Sequence, residues 1–400
     1  MATPSGRGFF LIASATAAVG FAMAANQNIV SNYFEGSLGF SGSQFGYITA
    51  IREIPGFLLI FLTALFYRLS LPHLTAGALL LLAVGYGFFG FSWSFWSVAP
   101  WVIISSMGYH TWMQTQAALG MSLTTENKSG SILGRLAAIN QAGALIAMAF
   151  VLIVFHYDIL DYKQTFAICG FLALLAALFI VRFPHLNNGE LQERAVKRER
   201  MVFRREYRLY YWLSVLDGAR QQIFFSFGLW VLVDHFTMGV PAISAIMLVT
   251  AGAAMVVGPW IGRQIDERGE RTMLGIVNIA YIIALLGYAF IDQISVAVIC
   301  YVIYSFIFPL SAMGASVYLR KIAPSSDVAP SLAMGVTMQH AAAVVVPIAT
   351  GFILNFVGYQ IPFMIASVFA AITIVITQKL DPANQKSQRR LQEDAARASA

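Results

Sequence analysis

Residues 163–182, KQTFAICGFLALLAALFIVR, form an apolar block with a cation at each end, and residues 183–208, FPHLNNGELQERAVKRERMVFRREYR, follow as a polar, arginine-rich stretch. A helix needs about 20 apolar residues to cross a hydrocarbon core roughly 30 Å thick, and the block has that length. It shows no alternation of apolar and polar residues and is too long for a barrel strand. The stretch after it carries Arg194, Lys197, Arg198, Arg200, Arg204, Arg205 and Arg208 and cannot sit in lipid.

The same grammar of apolar block and polar break runs outward in both directions. It predicts spans at 9–34, 42–66, 73–91, 97–121, 132–155 and 163–182, and again at 209–234, 241–262, 272–291, 295–319, 328–355 and 359–379. The expected organisation is a six-helix bundle over residues 1–182, a basic cytoplasmic linker over 183–208, a second six-helix bundle over 209–379 and a polar cytoplasmic tail over 380–400 that frays. Only helices or closed barrels satisfy their backbone polar groups in lipid, so the fold class is an all-α membrane protein.

Composition points the same way. Of the 400 residues, 58% are apolar and 11% charged, against roughly 45–50% and 25% for an average soluble domain. Cys169 and Cys300 both fall inside apolar blocks, where a cysteine packs as a small hydrophobe, so neither a disulfide framework nor a metal site is implied. The first block is expected to be retained as a span, because Asn26, Gln27 and Asn28 interrupt what would be the uniform core of a signal peptide.

Lys and Arg accumulate on the cytoplasmic side of membrane proteins. With the amino terminus inside, 22 of the 25 Lys and Arg fall in cytoplasmic segments, Lys163 lies outside, and Arg52 and Arg220 lie within spans. Both termini are therefore expected in the cytoplasm, and the chain in a plasma membrane of the bacterial inner-membrane type.

The loop after the eighth span reads Gly262-Arg-Gln-Ile-Asp266-Glu-Arg268-Gly269-Glu-Arg271. It resembles the loop motif of the major facilitator superfamily, in outline Gly-x-x-x-Asp-Arg-x-Gly-Arg-Arg, with Gly262, Asp266, Gly269 and Arg271 in register. Glu267 and Glu270 stand where the family usually has basic residues, and the corresponding first-half loop, Tyr67 to His73, lacks both glycines and the aspartate. The resemblance implies two parallel six-helix bundles, transport by alternating access, and a latch at Gly262, Asp266, Gly269 and Arg271 that stabilises one of the alternating states.

Ionisable side chains at membrane depth are costly and each is a functional candidate. Arg52 and Arg220 lie about ten residues into the second and seventh blocks, roughly 15 Å below the surface. A guanidinium is a permanently charged planar fork suited to carboxylate or phosphate, which favours an anionic substrate. Glu53, beside Arg52 but about 100° around the helix, and Asp217, one turn before Arg220, are candidate proton carriers, as are His110 and His340. Each arginine can equally be neutralised by its acidic neighbour. Asn28, Gln114, Gln221 and Gln339 are candidate neutral contacts to substrate, with Asn26, Asn140, Gln141 and Gln222 as further polar groups in spans.

The sequence has no Gly-x-x-x-x-Gly-Lys-Ser/Thr loop, so a gradient rather than ATP is the expected energy source. The reading is thus a non-enzymatic, secondary active transporter of a small organic anion with protons as candidate coupling ion. It is expected to act as a monomer in the lipid bilayer, with no cofactor, no metal and no nucleic acid partner. The alternatives are an exporter of amphipathic or cationic compounds, with Glu53 and Asp217 facing the substrate, and a receptor or assembly factor on the same scaffold.

Overall fold

A computed structural model describes residues 4–65, 69–124, 129–184 and 203–398. Each expected block is a helix: α1 Pro4–Asn32, closed by a π-helical turn at Tyr33–Ser37, then α2 Gly42–Leu65, α3 Leu71–Phe89, α4 Phe95–Ser122, α5 Ser129–His156 and α6 Tyr162–Val181. The second set is α7 Arg208–Asp234, α8 Val240–Arg268, α9 Glu270–Phe290, α10 Ile294–Ile322, α11 Ser325–Val357 and α12 Gln360–Thr377, followed by a short α13, Gln388–Ala398. Among the described residues, α1, α3, α5, α6, α9, α11 and α12 are long and apolar enough to cross a membrane on their own account. α4 and α7 fall short because they carry His110, Gln114 and Gln116, and Asp217, Arg220, Gln221 and Gln222; such helices are tolerated when those groups face a bundle interior.

The chain divides into two compact units, one comprising 1–197 with Thr237–Leu248 and the other Arg198–Phe236 with Val249–Ala400. In the first unit α3 packs on α4 and α6, and α1 on α5 and α6; in the second, α9 packs on α10 and α12, and α7 on α11 and α12. Shifting by six helices turns one pairing scheme into the other. That is the architecture of a tandem repeat, although only a faint echo of it survives in the sequence.

Small residues make the closest of these contacts, because helices in lipid gain by packing rather than by hydrophobic exclusion. At Gly170 of α6 an added Cβ would stand 2.7 Å from Gly87 Cα and 2.8 Å from the Ala83 carbonyl of α3, backbone that has nowhere to move. Gly170→Ala should therefore cost about 1–3 kcal/mol and appear as a lowered unfolding temperature in detergent. Turns between helices are capped locally: Asp161 accepts from the Gln164 amide at 2.7 Å while the Gln164 side chain accepts from the Asp161 amide at 3.0 Å, and Ser94 with Ser97 repeats the device before α4. Tyr33 donates to the carbonyls of Phe89 at 2.9 Å and Ser92 at 3.0 Å, pinning the end of α3. The first unit also receives the start of α8, where Ser244 donates to Asn28 Oδ1 at 3.0 Å and Asn32 donates to the Met238 carbonyl at 2.8 Å.

Two expectations change at the basic end of the second unit. Most of the linker, 185–202, lies outside the described residues, but its last part is structured: Arg204 Nε donates to Asp327 Oδ2 at 2.6 Å, and Tyr207, in a turn of 3-10 helix, donates to the same oxygen at 3.0 Å. The hydrogen bond to Asp327 raises the Arg204 guanidinium above its ordinary value, and burial pushes the Tyr207 phenol up to about 12. The tail does not fray after Lys379. It turns at Asp381, whose carboxylate accepts from the Asn384 side chain at 2.7 Å, and the Ser387 amide donates to the Ile322 carbonyl at 2.9 Å, seating α13 at the end of α10. Leu380 is buried with Tyr207, Tyr210, Tyr318 and Ile322, and this apolar anchor is what the polar composition of the tail conceals.

The Asn384 bonds hold the Asp381 carboxyl below its ordinary value. A depressed carboxyl contributes stability above its unfolded value near pH 4 and loses it as pH falls through the folded one. Amide protection factors over residues 386–395, taken relative to the intrinsic exchange rate at each pH, should accordingly fall below about pH 4 before those of the spans. Protection factors that stay constant with acidification would contradict this.

Candidate functional site

The second helix delivers the first cluster. Pro55 has no N–H, so the carbonyl of Ile51, four residues back, loses its helical partner. The hydroxyl of Ser106 on α4 donates to the neighbouring carbonyl, that of Arg52. Ser106 also meets His110 Nδ1 at 3.1 Å, and the imidazole lies against the bare Cα of Gly56, where an added Cβ would come within 2.6 Å of the ring. Serine and glycine thus bring His110 onto the same turn of α2 as Arg52 and Glu53.

Glu53 is not turned away from its neighbour, as its position one residue along the helix suggested. Its Oε1 lies 3.2 Å from both Nε and Nη2 of Arg52, the long guanidinium reaching around the helix, and its Oε2 lies 3.9 Å from His110 Nε2. Burial separates the three: the Arg52 side chain is 39% exposed, those of Glu53 and His110 only 11% and 6%. The arrangement is a buried acid between a titratable ring and a guanidinium with a free edge. An anion approaching Arg52 would compete with Glu53, and a proton on Glu53 or His110 would relieve the competition.

The second cluster lies inside the second unit. Arg220 is 1% exposed and has four partners: it donates to Asp217 Oδ1, to Tyr304 Oη at 3.0 Å and to Ser311 Oγ at 3.3 Å, and its guanidinium lies 3.5 Å from the centre of the Tyr281 ring. Beside this assembly is a cavity of about 150 Å³ lined by Tyr210, Ser214 and Asp217 of α7, Leu274 of α9, Ser311, Ala315 and Ser316 of α10, Leu332, Val336 and Gln339 of α11, and Thr373 of α12. The charge at the cavity wall is Asp217, and Arg220 stands behind it. Bringing α7 and α11 together here depends on Gly218, where a Cβ would stand 3.0 Å from Gln339 Cα.

The other sequence candidates differ in burial. Asn28 is fully buried and accepts from Ser244, Gln114 is exposed on α4, Gln221 and His340 are partly buried, and Gln339 lines the cavity. In the loop, Gly269 has φ +78°, a left-handed conformation that suits glycine, and caps α9. Arg271 donates to Gln378 at 3.1 Å, and the surroundings of Gly262 and the side chain of Asp266 lie outside what is described. Glu270, which occupies a usually basic place, is 3% exposed and takes Lys321 Nζ at 2.6 Å. Sequence reasoning missed Ser106, Gly56, Tyr281, Ser311 and the hydroxyls of Tyr210 and Ser214. The local cues were Pro55, a proline within an apolar block beside Gly56, and Gly218, beside Asp217.

The chain matches the family model described as Major Facilitator Superfamily over residues 12–311 and 210–399. It belongs to that superfamily. Its members are secondary transporters, and the chain is accordingly a multi-pass integral membrane transporter rather than an enzyme. Among solved structures of similar fold, the nucleoside transporter NupG aligns with a TM-score of 0.75 at 15% identity, covering 93% of this chain and 98% of its own. A bacterial homologue of the human lysosomal transporter Spinster, inward-facing and occupied, aligns at 0.70 with 12% identity over 97% and 100%. A D-xylose-proton symporter aligns at 0.70 with 15% identity over 95% and 98%. No curated protein matches the sequence.

Proposed function

We propose that this superfamily member carries a small organic anion across the membrane by alternating access, coupled to protons. The observation that supports this reading is the Arg52 cluster, a 39% exposed guanidinium on a spanning helix backed by the buried Glu53 and His110. Substrate carboxylate or phosphate takes the free edge of the fork, Glu53 is displaced, and a proton on Glu53 or His110 keeps the buried charge balanced. Arg220, sealed by four partners, acts by holding Asp217, while Asp217, Gln339 and the hydroxyls around them form a second polar locus. Gln221, Asn28 and Gln114 supply neutral contacts, His340 is a further proton carrier, and the loop from Gly262 through Asp266 and Gly269 to Arg271 latches one state. The protein works as a monomer in a bacterial inner membrane, with bundles at 1–182 and 209–379, the linker at 183–208 and the tail at 380–400 on the cytoplasmic side.

Proton coupling also suits the company the fold keeps, since one structural neighbour is named as a proton symporter. In proteoliposomes, a panel of small organic anions should be accumulated under a pH gradient and released when it is collapsed. A second reading, export of amphipathic or cationic compounds, is favoured by one feature: the charge lining the cavity of the second unit is the Asp217 carboxylate. Lipophilic cations moving under the same gradient, with anions ignored, would replace the first reading by the second.

A further inference from the structure

We propose that the cavity inside the second unit is a water-filled proton-access chamber through which protons reach Asp217 from the linker end of the bundle. The inference rests on the proton-coupled reading and adds to it a site and a route.

Asp217 is 6% exposed, and while its Oδ1 accepts from Arg220, its Oδ2 is buried without a partner. A buried carboxylate oxygen left bare is costly, and the carboxylate lines a cavity with room for water. The volume of about 150 Å³ exceeds the roughly 30 Å³ share of one liquid water, and water is held where polar groups converge in a cavity, as they do at the Asp217 side of this otherwise largely apolar one. The lining supplies what such waters need. Ser214 donates to the Tyr210 carbonyl at 3.0 Å and Thr373 to the Phe369 carbonyl at 2.8 Å, so each hydroxyl oxygen keeps a lone pair for water. Tyr210, Ser316 and Gln339 are further polar residues of the lining.

The geometry makes the cavity a route. Tyr210, Ser214 and Asp217 are spaced four and three residues apart, one face of α7, and Tyr210 lies at the start of that helix next to the linker. From Tyr210 to Asp217 is seven residues, about 10 Å along the axis. The chamber therefore runs from the basic end of the bundle inward to a single carboxylate.

The ligand set selects a proton over a metal cation. Asp217 is the single carboxylate of the lining and one of its oxygens already accepts from Arg220, which leaves little anionic oxygen for a metal ion that takes six or more oxygen ligands, whereas a proton leaving a hydronium for the carboxylate converts it to an acid and returns water. The positive charge then rests on Arg220, steadied by the face of Tyr281 and by Tyr304 Oη. Those are the ionisable groups around Asp217: Arg220 and Tyr210 on α7, Tyr281 on α9 and Tyr304 on α10. To the chamber α11 presents the neutral Gln339 and α12 the neutral Thr373. The remaining ionisable groups of α11 are Asp327, engaged by Arg204 and Tyr207, and His340, which is not in the lining.

The test is infrared difference spectroscopy on the full-length protein across the pH range in which it stays folded. A protonated-carboxyl band should appear on acidification, vanish in Asp217→Asn and move in frequency in the charge-conserving Asp217→Glu, which serves if the amide variant fails to fold. Ala315→Leu fills the chamber without touching the ion pair. It should slow the deuterium shift of that band after mixing with D2O and abolish pH-driven accumulation in proteoliposomes while substrate exchange persists. No band assignable to Asp217, or a deuterium shift and coupling unchanged in Ala315→Leu, would overturn the proposal. The infrared arm needs no substrate, so a titrating Asp217 in a protein that moves no anion upholds the chamber and overturns the anion reading alone.

Discussion

Replacing Arg220 by Gln should destabilise the second unit by about 3–5 kcal/mol, the loss found when one partner of a buried ion pair is removed. The figure is large because nothing else can serve Asp217: the residue is 6% exposed, and its second oxygen has no protein partner. Without the guanidinium, Asp217 either stays charged in a low-dielectric interior or takes up a proton, and Tyr304, Ser311 and the face of Tyr281 all lose the group they are arranged around. Combining Arg220→Gln with Asp217→Asn removes both charges and should recover much of the stability, since a pair deleted whole costs far less than a pair broken. Thermal unfolding in detergent measures both. An Arg220→Gln protein as stable as the parent would mean that Asp217 is already protonated, and a double variant no better than the single would place the cost in packing rather than charge.

Arg52→Gln tests the other cluster, and its largest effect falls on transport. A charge-assisted hydrogen bond to a substrate anion is worth about 1.5–3 kcal/mol, which corresponds to roughly a 10- to 150-fold loss of apparent affinity. Stability should change little, because the guanidinium is 39% exposed and His110 remains 3.9 Å from the Glu53 carboxylate. Arg52→Lys keeps the charge without the planar fork and should fall between. Uptake by Arg52→Gln that matches the parent, with membrane insertion intact, would end the assignment of Arg52 as the anion contact.

The two arginines looked equivalent in sequence, each a cation at similar depth in corresponding halves with an acid nearby. They are not equivalent in the folded units. Asp217 lies three residues before Arg220, so the two share a helix face and the pair closes on itself, with Tyr281 and Tyr304 arriving from α9 and α10 to seal it. Glu53 adjoins Arg52 off-face, so the guanidinium must reach around the helix and leaves an edge uncovered. Helical spacing anticipated the first relation. It misjudged the second, because side-chain length compensates for 100° of rotation in a way that Cβ positions do not reveal.

Hydropathy alone determined the number and approximate limits of the spanning helices and the central polar break, because a bilayer imposes a length of apolar chain that no tertiary contact can alter. The loop from Gly262 to Arg271 was sufficient to suggest the superfamily, and Gly269 indeed takes the left-handed turn its place in that motif requires. Tertiary structure alone decided which polar groups meet. His110 reaches Glu53 because Ser106 bonds both the Arg52 carbonyl and the imidazole and Gly56 leaves room for a ring, and the cavity at Asp217 draws its walls from five helices. The tail shows the same division: its composition is that of a solvated segment, yet Leu380 and a backbone bond to Ile322 seat it against the bundle. Apolar length is a property of one stretch of chain and can be read along it. Convergence of side chains from helices dozens of residues apart depends on packing, which no local pattern records.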